Sequence, residues 1–258
     1  MCELLAVSSK QTVTVNDYIR EVVSHSTVHP HGWGMAIFYG SGVSLEKEPV
    51  PAYKSGYLKE RLQHQIQVKN MMVHIRLATH GTTEYENCHP FVRRDHTDRA
   101  WTLMHNGTIF ECSALEVYRQ VQEGQTDSER ILCHIVHEIN LKTAQKGCEL
   151  NARERFAVVD HVILEITPNN NKVNLILYDG EQFYVHTNMR NTLYMKRMGQ
   201  TLFFATVPLD QSGWNPVPFM QLLAFRDGEQ LYCGTKHQNE YFYDDEAMKM
   251  VFLEYAML

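Results

Sequence analysis

The chain has 258 residues, of which 44% are hydrophobic and 21% are charged, a balance typical of a folded globular protein. Its formal net charge of −6 argues against a nucleic-acid-binding surface, which is normally basic. We find neither an apolar run of the roughly 20 residues that a membrane span needs nor a secretory signal pattern, so we expect a cytoplasmic protein without membrane contact. The six cysteines include no Cys-x-x-Cys pair, which is typical of reduced thiols.

Hydrophobic periodicity and turn residues predict blocks of strands separated by a block of helices. Strands are predicted at 2–7, 33–39, 43–45, 71–76, 100–105, 173–178, 183–186, 201–207, 219–225 and 230–233. Helices are predicted at 16–23, 57–68, 127–139 and 156–166, and the tail at 241–258 is compatible with either helix or strand. This order favours a layered α+β fold in a single domain spanning residues 1–258.

Local signals predict how several of these elements begin and turn. Asn16 and Asp17 are suitable caps for the first helix. Thr126 and Glu129 have the spacing of a capping box before the third helix. Asp179-Gly180 predicts a type I′ turn between two strands.

Cys2 directly precedes the first predicted strand. If Met1 is removed, the α-amine of Cys2 is free, and its reference pKa of about 7.7–8.0 suits a general base at neutral pH. One residue would then supply both a thiolate nucleophile and its base. Taken alone, the cysteine is more simply explained as a small buried side chain at the start of a strand.

Arg76 stands near the end of an otherwise apolar predicted strand. Alternation along 74–78 places it on one face, where an unpaired guanidinium would be costly. A carboxylate partner is therefore expected, either within the protein or as the α-carboxylate of a bound ligand. Thr79 and His80 follow closely and could add hydrogen bonds.

Two further sites combine a structural explanation with a chemical one. Asn106-Gly107 follows a predicted strand and is either a plain turn or an oxyanion hole made of the Asn106 amide and the Gly107 N–H. Asp127 opens a helix, where a carboxylate favours the helix dipole or could pair with the ammonium group of a substrate.

Together these stretches resemble the class II glutamine amidotransferases, which are N-terminal-nucleophile hydrolases. The resemblance rests on Cys2, Arg76, Thr79-His80-Gly81, His105-Asn106-Gly107 and Thr126-Asp127-Ser128-Glu129 in the same order. Gly32-Trp33-Gly34 and Asn87-Cys88-His89-Pro90-Phe91 are similar to the stand-alone, single-domain branch of that family. The most specific motifs lie between residues 2 and 129.

The resemblance implies a four-layer αββα sandwich of two antiparallel sheets between helical layers. It implies that Cys2 attacks the glutamine side-chain amide, and that Asn106 and Gly107 form the oxyanion hole. Arg76, Thr79 and His80 would bind the α-carboxylate, and Asp127 the α-amino group. A γ-glutamyl thioester would form and water would hydrolyse it, without cofactor or metal.

The sequence departs from the synthase-fused relatives in two respects. His31 stands where those relatives carry an arginine, and the residues after about 208 are too few for a synthase domain. We therefore expect either a separate ammonia-consuming synthase partner or a hydrolase of glutamine or another γ-glutamyl amide.

Two other functions remain open at this stage. One is a non-catalytic module that keeps the amino-acid pocket. The other is a metal-dependent hydrolase, which the number of histidines raises although no HExxH-type pattern supports it. The candidate ligands for such a metal are His29, His31, His74, His80 and His89.

Overall fold

A computed structural model describes residues 2–40 and 42–256. The strands are β1 (Glu3–Thr14), β2 (Trp33–Tyr39), β3 (Gly42–Glu48), β4 (Gln67–Ile75), β5 (Phe91–Arg94), β6 (Ala100–His105), β7 (Leu175–Tyr178), β8 (Phe183–His186), β9 (Tyr194–Met198), β10 (Thr201–Ala205), β11 (Trp214–Pro216), β12 (Leu223–Arg226) and β13 (Glu229–Cys233). The α-helices are α1 (Asn16–Ser24), α2 (Gly56–Arg61), α3 (Ser113–Glu116), α4 (Asp127–Lys146), α5 (Ala152–Ile166) and α6 (Asp245–Ala256).

The strands form two antiparallel sheets. The first has the order β11-β9-β10-β1-β4-β2-β3 and the second the order β13-β12-β8-β7-β6-β5. β1 is interior, because Leu5 pairs with Ala205 of β10 on one side and with Val73 of β4 on the other. Cys2 therefore lies at the entrance of a strand that is held on both edges.

Three apolar clusters divide the molecule into layers. One packs α1 and α2 on the outer face of the first sheet, a second lies between the sheets, and a third packs α4 and α5 on the second sheet. Leu4 and Leu5 are both fully buried and belong to different clusters, so β1 contributes to the core on both faces. Each such side chain stabilises the fold by roughly 1.5–3 kcal/mol. The α+β, four-layer αββα architecture is confirmed.

The predicted helix at 57–68 is wrong in its second half. α2 ends at Arg61, and Gln67 already begins β4, where it pairs with Thr14 of β1. The four-residue spacing of Leu58, Leu62 and Ile66, which predicted a helix, is thus also compatible with a short helix followed by a strand. Pairing of the strand with β1 stabilises the second arrangement.

The predicted caps of α1 are also wrong. Val15 is the N-cap residue, and no side chain caps this helix. Asn16 instead donates to the carbonyls of Leu62 and His64 and accepts the N–H of Ile66. It therefore fastens α1 to the turn that leads into β4.

The capping box at α4 is only half formed. Thr126 accepts the N–H of Glu129, but the Glu129 carboxylate accepts the N–H groups of Glu123 and Gly124. A complete capping box occurs at α5, with Asn151 as the N-cap, where the sequence had not predicted one.

Other boundaries differ more simply. The loop between β7 and β8 has four residues, since Tyr178 pairs with Phe183, so the two-residue type I′ turn is wrong. Strands β5, β9 and β11 were not predicted, and most of the ambiguous tail forms α6. Within the described residues, the helices are all too short or too polar to cross a lipid bilayer.

Candidate active site

The Cys2 thiol lies at a cleft where β1 begins and β4 ends. Its Sγ accepts the N–H of Leu77 at 3.3 Å and lies 3.2 Å from the Leu77 carbonyl oxygen. Thr79, Asn106 and Gly107 line the cleft together with Cys2. Burial raises the pKa of the Cys2 thiol, although the Leu77 hydrogen bond and the charges of Arg76 and Lys172 oppose this. A base is therefore needed to form the thiolate at neutral pH.

Gly107 occupies a position that accepts no side chain. A Cβ atom there would collide with the carbonyl oxygen of Lys172 and with the His105 ring. The adjacent Thr108 and Lys172 exchange two backbone hydrogen bonds, of 3.1 and 3.0 Å, which fix this close approach. Packing, and not only a turn, thus requires the glycine after Asn106.

Lys172 is a buried cation beside Cys2 and Asn106 that the sequence analysis missed. It is 4% exposed, lines the cleft, and donates from Nζ to Asn106 Oδ1 over 3.4 Å. Since an ammonium group only donates, this contact holds the Asn106 amide with its oxygen toward Lys172 and its NH₂ turned away. Burial lowers the pKa of Lys172 to about 8, although the Cys2 charge opposes this.

A chain of hydrogen bonds supports the oxyanion-hole candidates from behind. Burial lowers the pKa of His105, so its ring is neutral at neutral pH. Its Nε2 lies 3.1 Å from the Lys172 carbonyl oxygen and must carry the proton, because a carbonyl only accepts. Its Nδ1 then accepts the Ser128 hydroxyl proton at 2.9 Å.

Asp127 is buried at the start of α4. Its carboxylate accepts the N–H of Ile109 and the N–H of Ser128, both at 2.8 Å. Burial alone would raise the pKa of Asp127, but the charge of His80 and the Ile109 hydrogen bond help to hold it below its usual value. The ionised carboxylate thereby fixes the turn that follows Gly107.

Arg76 is enclosed by the loop that follows it. The guanidinium is in a residue only 2% exposed, and it donates to the carbonyls of His80, Gly81 and Thr82 at 2.7–2.9 Å. Arg76 also donates to the His31 carbonyl over a longer distance of 3.4 Å. The carboxylate partner expected from the sequence is thus replaced here by backbone carbonyls.

His31, whose role the sequence left open, holds the turn after β4. Its Nδ1 accepts the N–H of Ala78 at 2.9 Å. Burial, together with the charge of Arg76, lowers the pKa of His31, which favours the neutral ring that this contact needs.

Two motifs from the sequence pack against one another. A Cβ on Gly32 would meet Cys88, and one on Gly34 would meet the carbonyl of His89. Asn87 extends this contact to the loop around Arg76, since it donates to the Thr82 carbonyl at 3.1 Å and accepts the Gln125 N–H at 2.7 Å. The motifs therefore act as a frame for the segments that carry Arg76 and Asp127.

The structure brings together only some of the predicted site residues. Cys2, Thr79, Asn106 and Gly107 share the cleft, with Thr79 Oγ1 3.5 Å from Thr108 Oγ1. Arg76, His80 and Asp127 are not among the described residues that line it. Met1, whose removal the Cys2 mechanism requires, lies outside the residues that the structure describes.

Several histidines contact other protein groups in the folded chain. His74 and His89 stack with ring centroids 4.1 Å apart, and burial lowers the pKa of His74 to about 3. His25 bonds through Nδ1 to the Glu3 carboxylate at 2.6 Å. In the part of the chain that the structure describes, no group of three His, Cys, Asp or Glu side chains could hold a metal ion.

Comparison with known proteins gives the family of the chain. A family model described as class-II glutamine amidotransferases matches residues 1–201. The chain belongs to the class-II glutamine amidotransferases. Putative glutamine amidotransferase YafJ of Escherichia coli is 32% identical over 194 residues, covering 73% of this chain and 74% of YafJ. An uncharacterized protein of Methanocaldococcus jannaschii is 26% identical over 263 residues, covering 92% of this chain and 72% of that protein.

Solved structures share the fold of this class-II glutamine amidotransferase. A predicted glutamine amidotransferase from Pseudomonas aeruginosa superposes with a TM-score of 0.62 at 19% identity, over 90% of this chain and 100% of that one. Glutamine phosphoribosylpyrophosphate amidotransferase from Bacillus subtilis gives a TM-score of 0.65 at 16% identity, over 93% of this chain and 50% of that one. At these identities the likeness concerns the fold alone.

Proposed function

We propose that this class-II glutamine amidotransferase hydrolyses the side-chain amide of glutamine, or of a related γ-glutamyl compound, through a thioester on Cys2. The observation that carries the proposal is the shared cleft, which Cys2, Asn106 and Gly107 line together. A nucleophile beside two potential oxyanion donors is the minimum arrangement for acyl transfer.

The reaction has two steps in this proposal. The Cys2 sulfur attacks the amide carbon, and the Asn106 NH₂ and Gly107 N–H stabilise the oxyanion. The C–N bond then breaks, and ammonia or an amine leaves with the proton taken from the thiol. Water attacks the thioester and releases glutamate, which restores the thiol.

The base in this proposal is the α-amine of Cys2 after removal of Met1. Because burial raises the thiol pKa, a base with a pKa of about 7.7–8.0 is well matched to the proton transfer. A retained Met1 would acylate the amine and remove this base. Intact mass of an active preparation tests the point, and full activity with Met1 present in most molecules would exclude the mechanism.

Recognition of the amino-acid part is assigned to residues around the loop after β4. Arg76, Thr79 and His80 are proposed to bind the α-carboxylate and Asp127 the α-ammonium group. Because the terminal nitrogens of Arg76 are engaged with backbone carbonyls here, an α-carboxylate that binds them displaces contacts of residues 80–82. The Asp127 carboxylate keeps lone pairs for an ammonium group beside its bonds to Ile109 and Ser128. The net cost is small if the substrate replaces each hydrogen bond by a charge-assisted one.

The wider assignment follows from the same reasoning. We propose that residues 1–258 form one domain working in the cytoplasm, and that ammonia is either released or passed to a separate synthase. The test is glutamate release from a panel of free glutamine and γ-glutamyl peptides, with Cys2→Ala and Cys2→Ser as variants. Loss of turnover with retained binding supports Cys2 as nucleophile. Binding without turnover by the wild-type protein would instead indicate an amino-acid-binding module.

A further inference from the structure

The C-terminal segment, defined here as residues 237–252, reaches the active-site cleft from outside the region that the family model matches. Two asparagines of the preceding loops hold it in place by hydrogen bonds. Asn188 accepts the Tyr241 N–H on its backbone carbonyl at 2.8 Å and donates to the Asn239 carbonyl at 3.0 Å. Asn170 exchanges two hydrogen bonds of 2.9 Å with the backbone of Phe242.

The side chains of this segment that line the cleft are aromatic, apart from one methionine. They are Tyr241, Tyr243, Met248 and Phe252. The Tyr241 ring is 4% exposed and lies parallel to Phe110 with centroids 6.5 Å apart, so it is a fixed surface. Tyr243 and Phe252 are 54% and 40% exposed and border the opening.

The apolar wall and the reacting groups share one cleft, since Cys2, Asn106 and Gly107 line it together with the C-terminal segment. Arg76, His80 and Asp127, which are proposed to bind the amino-acid part, are not among the described residues that line it. The substituent on the amide nitrogen is therefore the part of a substrate that is left to contact the C-terminal segment. Ammonia would gain nothing from an apolar wall, whereas an amine with an apolar substituent would lose water-exposed carbon surface there.

We propose that the C-terminal segment forms a leaving-group subsite that selects γ-glutamyl amides of apolar or aromatic amines over glutamine. This inference rests on the proposed function and names its substrate class. Binding energy at the substituent would lower the barrier at the amide, so the selectivity appears in kcat/KM.

The experiment compares glutamine with γ-glutamyl benzylamide and with γ-glutamyl ethanolamide, which share the same acyl group and have leaving amines of similar basicity. We expect kcat/KM for the benzylamide to exceed that for the ethanolamide by about tenfold or more, as one apolar group in a pocket commonly provides. Tyr243→Ala and Phe252→Ala should reduce this ratio several-fold. Phe242→Ala is the matched control, because its side chain is 67% exposed and does not line the cleft.

The outcomes separate the inference from the function on which it rests. No glutamate from any compound would remove the proposed function itself. Turnover of all three with no preference for the benzylamide, or an equal loss on all substrates in Tyr243→Ala, would overturn the subsite alone.

Lys172 carries a second inference from an independent observation. Its Nζ contact with Asn106 Oδ1 leaves the Asn106 NH₂ directed away from the lysine, which is the orientation that an oxyanion donor requires. We propose that Lys172 is a positioning residue that keeps the Asn106 amide in its donating orientation and places a positive charge in the cleft beside the Cys2 thiol. This inference also rests on the proposed function.

The variants Lys172→Met and Lys172→Arg test this role, with Lys236→Met as an exposed control. We expect Lys172→Met to lower kcat by about 10²-fold, the size of a lost oxyanion donor, with KM little changed. Lys172→Arg keeps a donor-only cation and should retain more of kcat. The pH midpoint of Cys2 alkylation by iodoacetamide, followed on the Cys2 peptide by mass spectrometry, should rise in Lys172→Met.

The alkylation measurement does not need turnover, so it stands even where the proposed function fails. An unchanged alkylation midpoint together with a kcat within twofold of wild type would overturn the positioning role. A fall in kcat with an unchanged midpoint would reject the charge effect and retain only the orientation of Asn106.

Discussion

Replacing Lys172 by methionine should make the protein more stable while making it less active. The ammonium group is in a residue only 4% exposed, and burial lowers its pKa from the usual 10.5 to about 8. The folded state therefore disfavours the charged form that the unfolded chain carries at neutral pH. Methionine has a similar length and carries no charge, so it removes this penalty.

The size of the effect follows from linkage. The difference between 10.5 and about 8 corresponds to roughly 3 kcal/mol at 1.36 kcal/mol for each pKa unit. Loss of the hydrogen bond to Asn106 offsets about 1 kcal/mol of this. The free energy of unfolding at pH 7 should thus rise by about 2 kcal/mol in Lys172→Met.

The pH dependence has a definite sign. Because the folded pKa of Lys172 is lowered, the unfolded chain binds more protons between pH 8 and 10.5. The wild-type protein carries the full penalty below pH 8 and loses it as the pH rises through this window. Lys172→Met should lack this contribution, so the stability difference between the two proteins narrows from pH 7 to pH 10.

Urea unfolding at pH 7, 8.5 and 10, followed by tryptophan fluorescence, measures both quantities. The buried Trp33 and Trp101 report on the first and second sheets. Lys236→Met controls for the loss of an exposed charge. A Lys172→Met protein that is less stable than wild type at pH 7, or a stability difference independent of pH, would refute the reasoning.

Two other substitutions test the supports of the cleft. Gly107→Ala should destabilise the fold by about 1–3 kcal/mol and lower kcat by 10²-fold or more, because the new Cβ collides with the Lys172 carbonyl oxygen. Gly56→Ala is the control, because a Cβ at that position contacts no other atom within 4 Å. Equal behaviour of the two variants in urea unfolding and glutamate release would contradict the packing argument. Arg76→Ala should raise KM and lower the free energy of unfolding by about 3 kcal/mol or more, since the carbonyls of residues 80–82 lose a buried donor. The exposed Arg94→Ala is the control. An unchanged KM and an unchanged unfolding midpoint relative to that control would exclude both the binding role and the structural role of Arg76.

The fold could be predicted well where local pattern and tertiary pairing agree. The strand predicted at 100–105 has the bounds of β6, because the Asn106-Gly107 pair marks its end locally. The helix predicted at 57–68 extended too far, since pairing of Gln67 with Thr14 lies outside any local window. The cap predicted at Asn16 was wrong for a similar reason, because a distant turn offers its amide three partners.

The site shows the same limit. Cys2, Asn106 and Gly107 were found because their order along the chain resembles a family pattern, and the cleft does bring them together. Lys172 follows three asparagines that indicate only a turn, and its proximity to Asn106 arises from the bridge to Thr108. The C-terminal segment gave no local sign that it would reach Cys2.

The interior position of β1 has a consequence for when the cleft can form. The β1 residues Leu5 to Ser9 pair with β10 across nearly 200 positions of sequence, so β1 waits for a strand that is synthesised much later. Until then β1 can pair only with β4, and its other edge is open to other strands. Such distant pairing slows folding. A chain cut at residue 201 would keep the family motifs but leave this edge bare, so assembly of the nucleophile should be an event of nearly the whole chain.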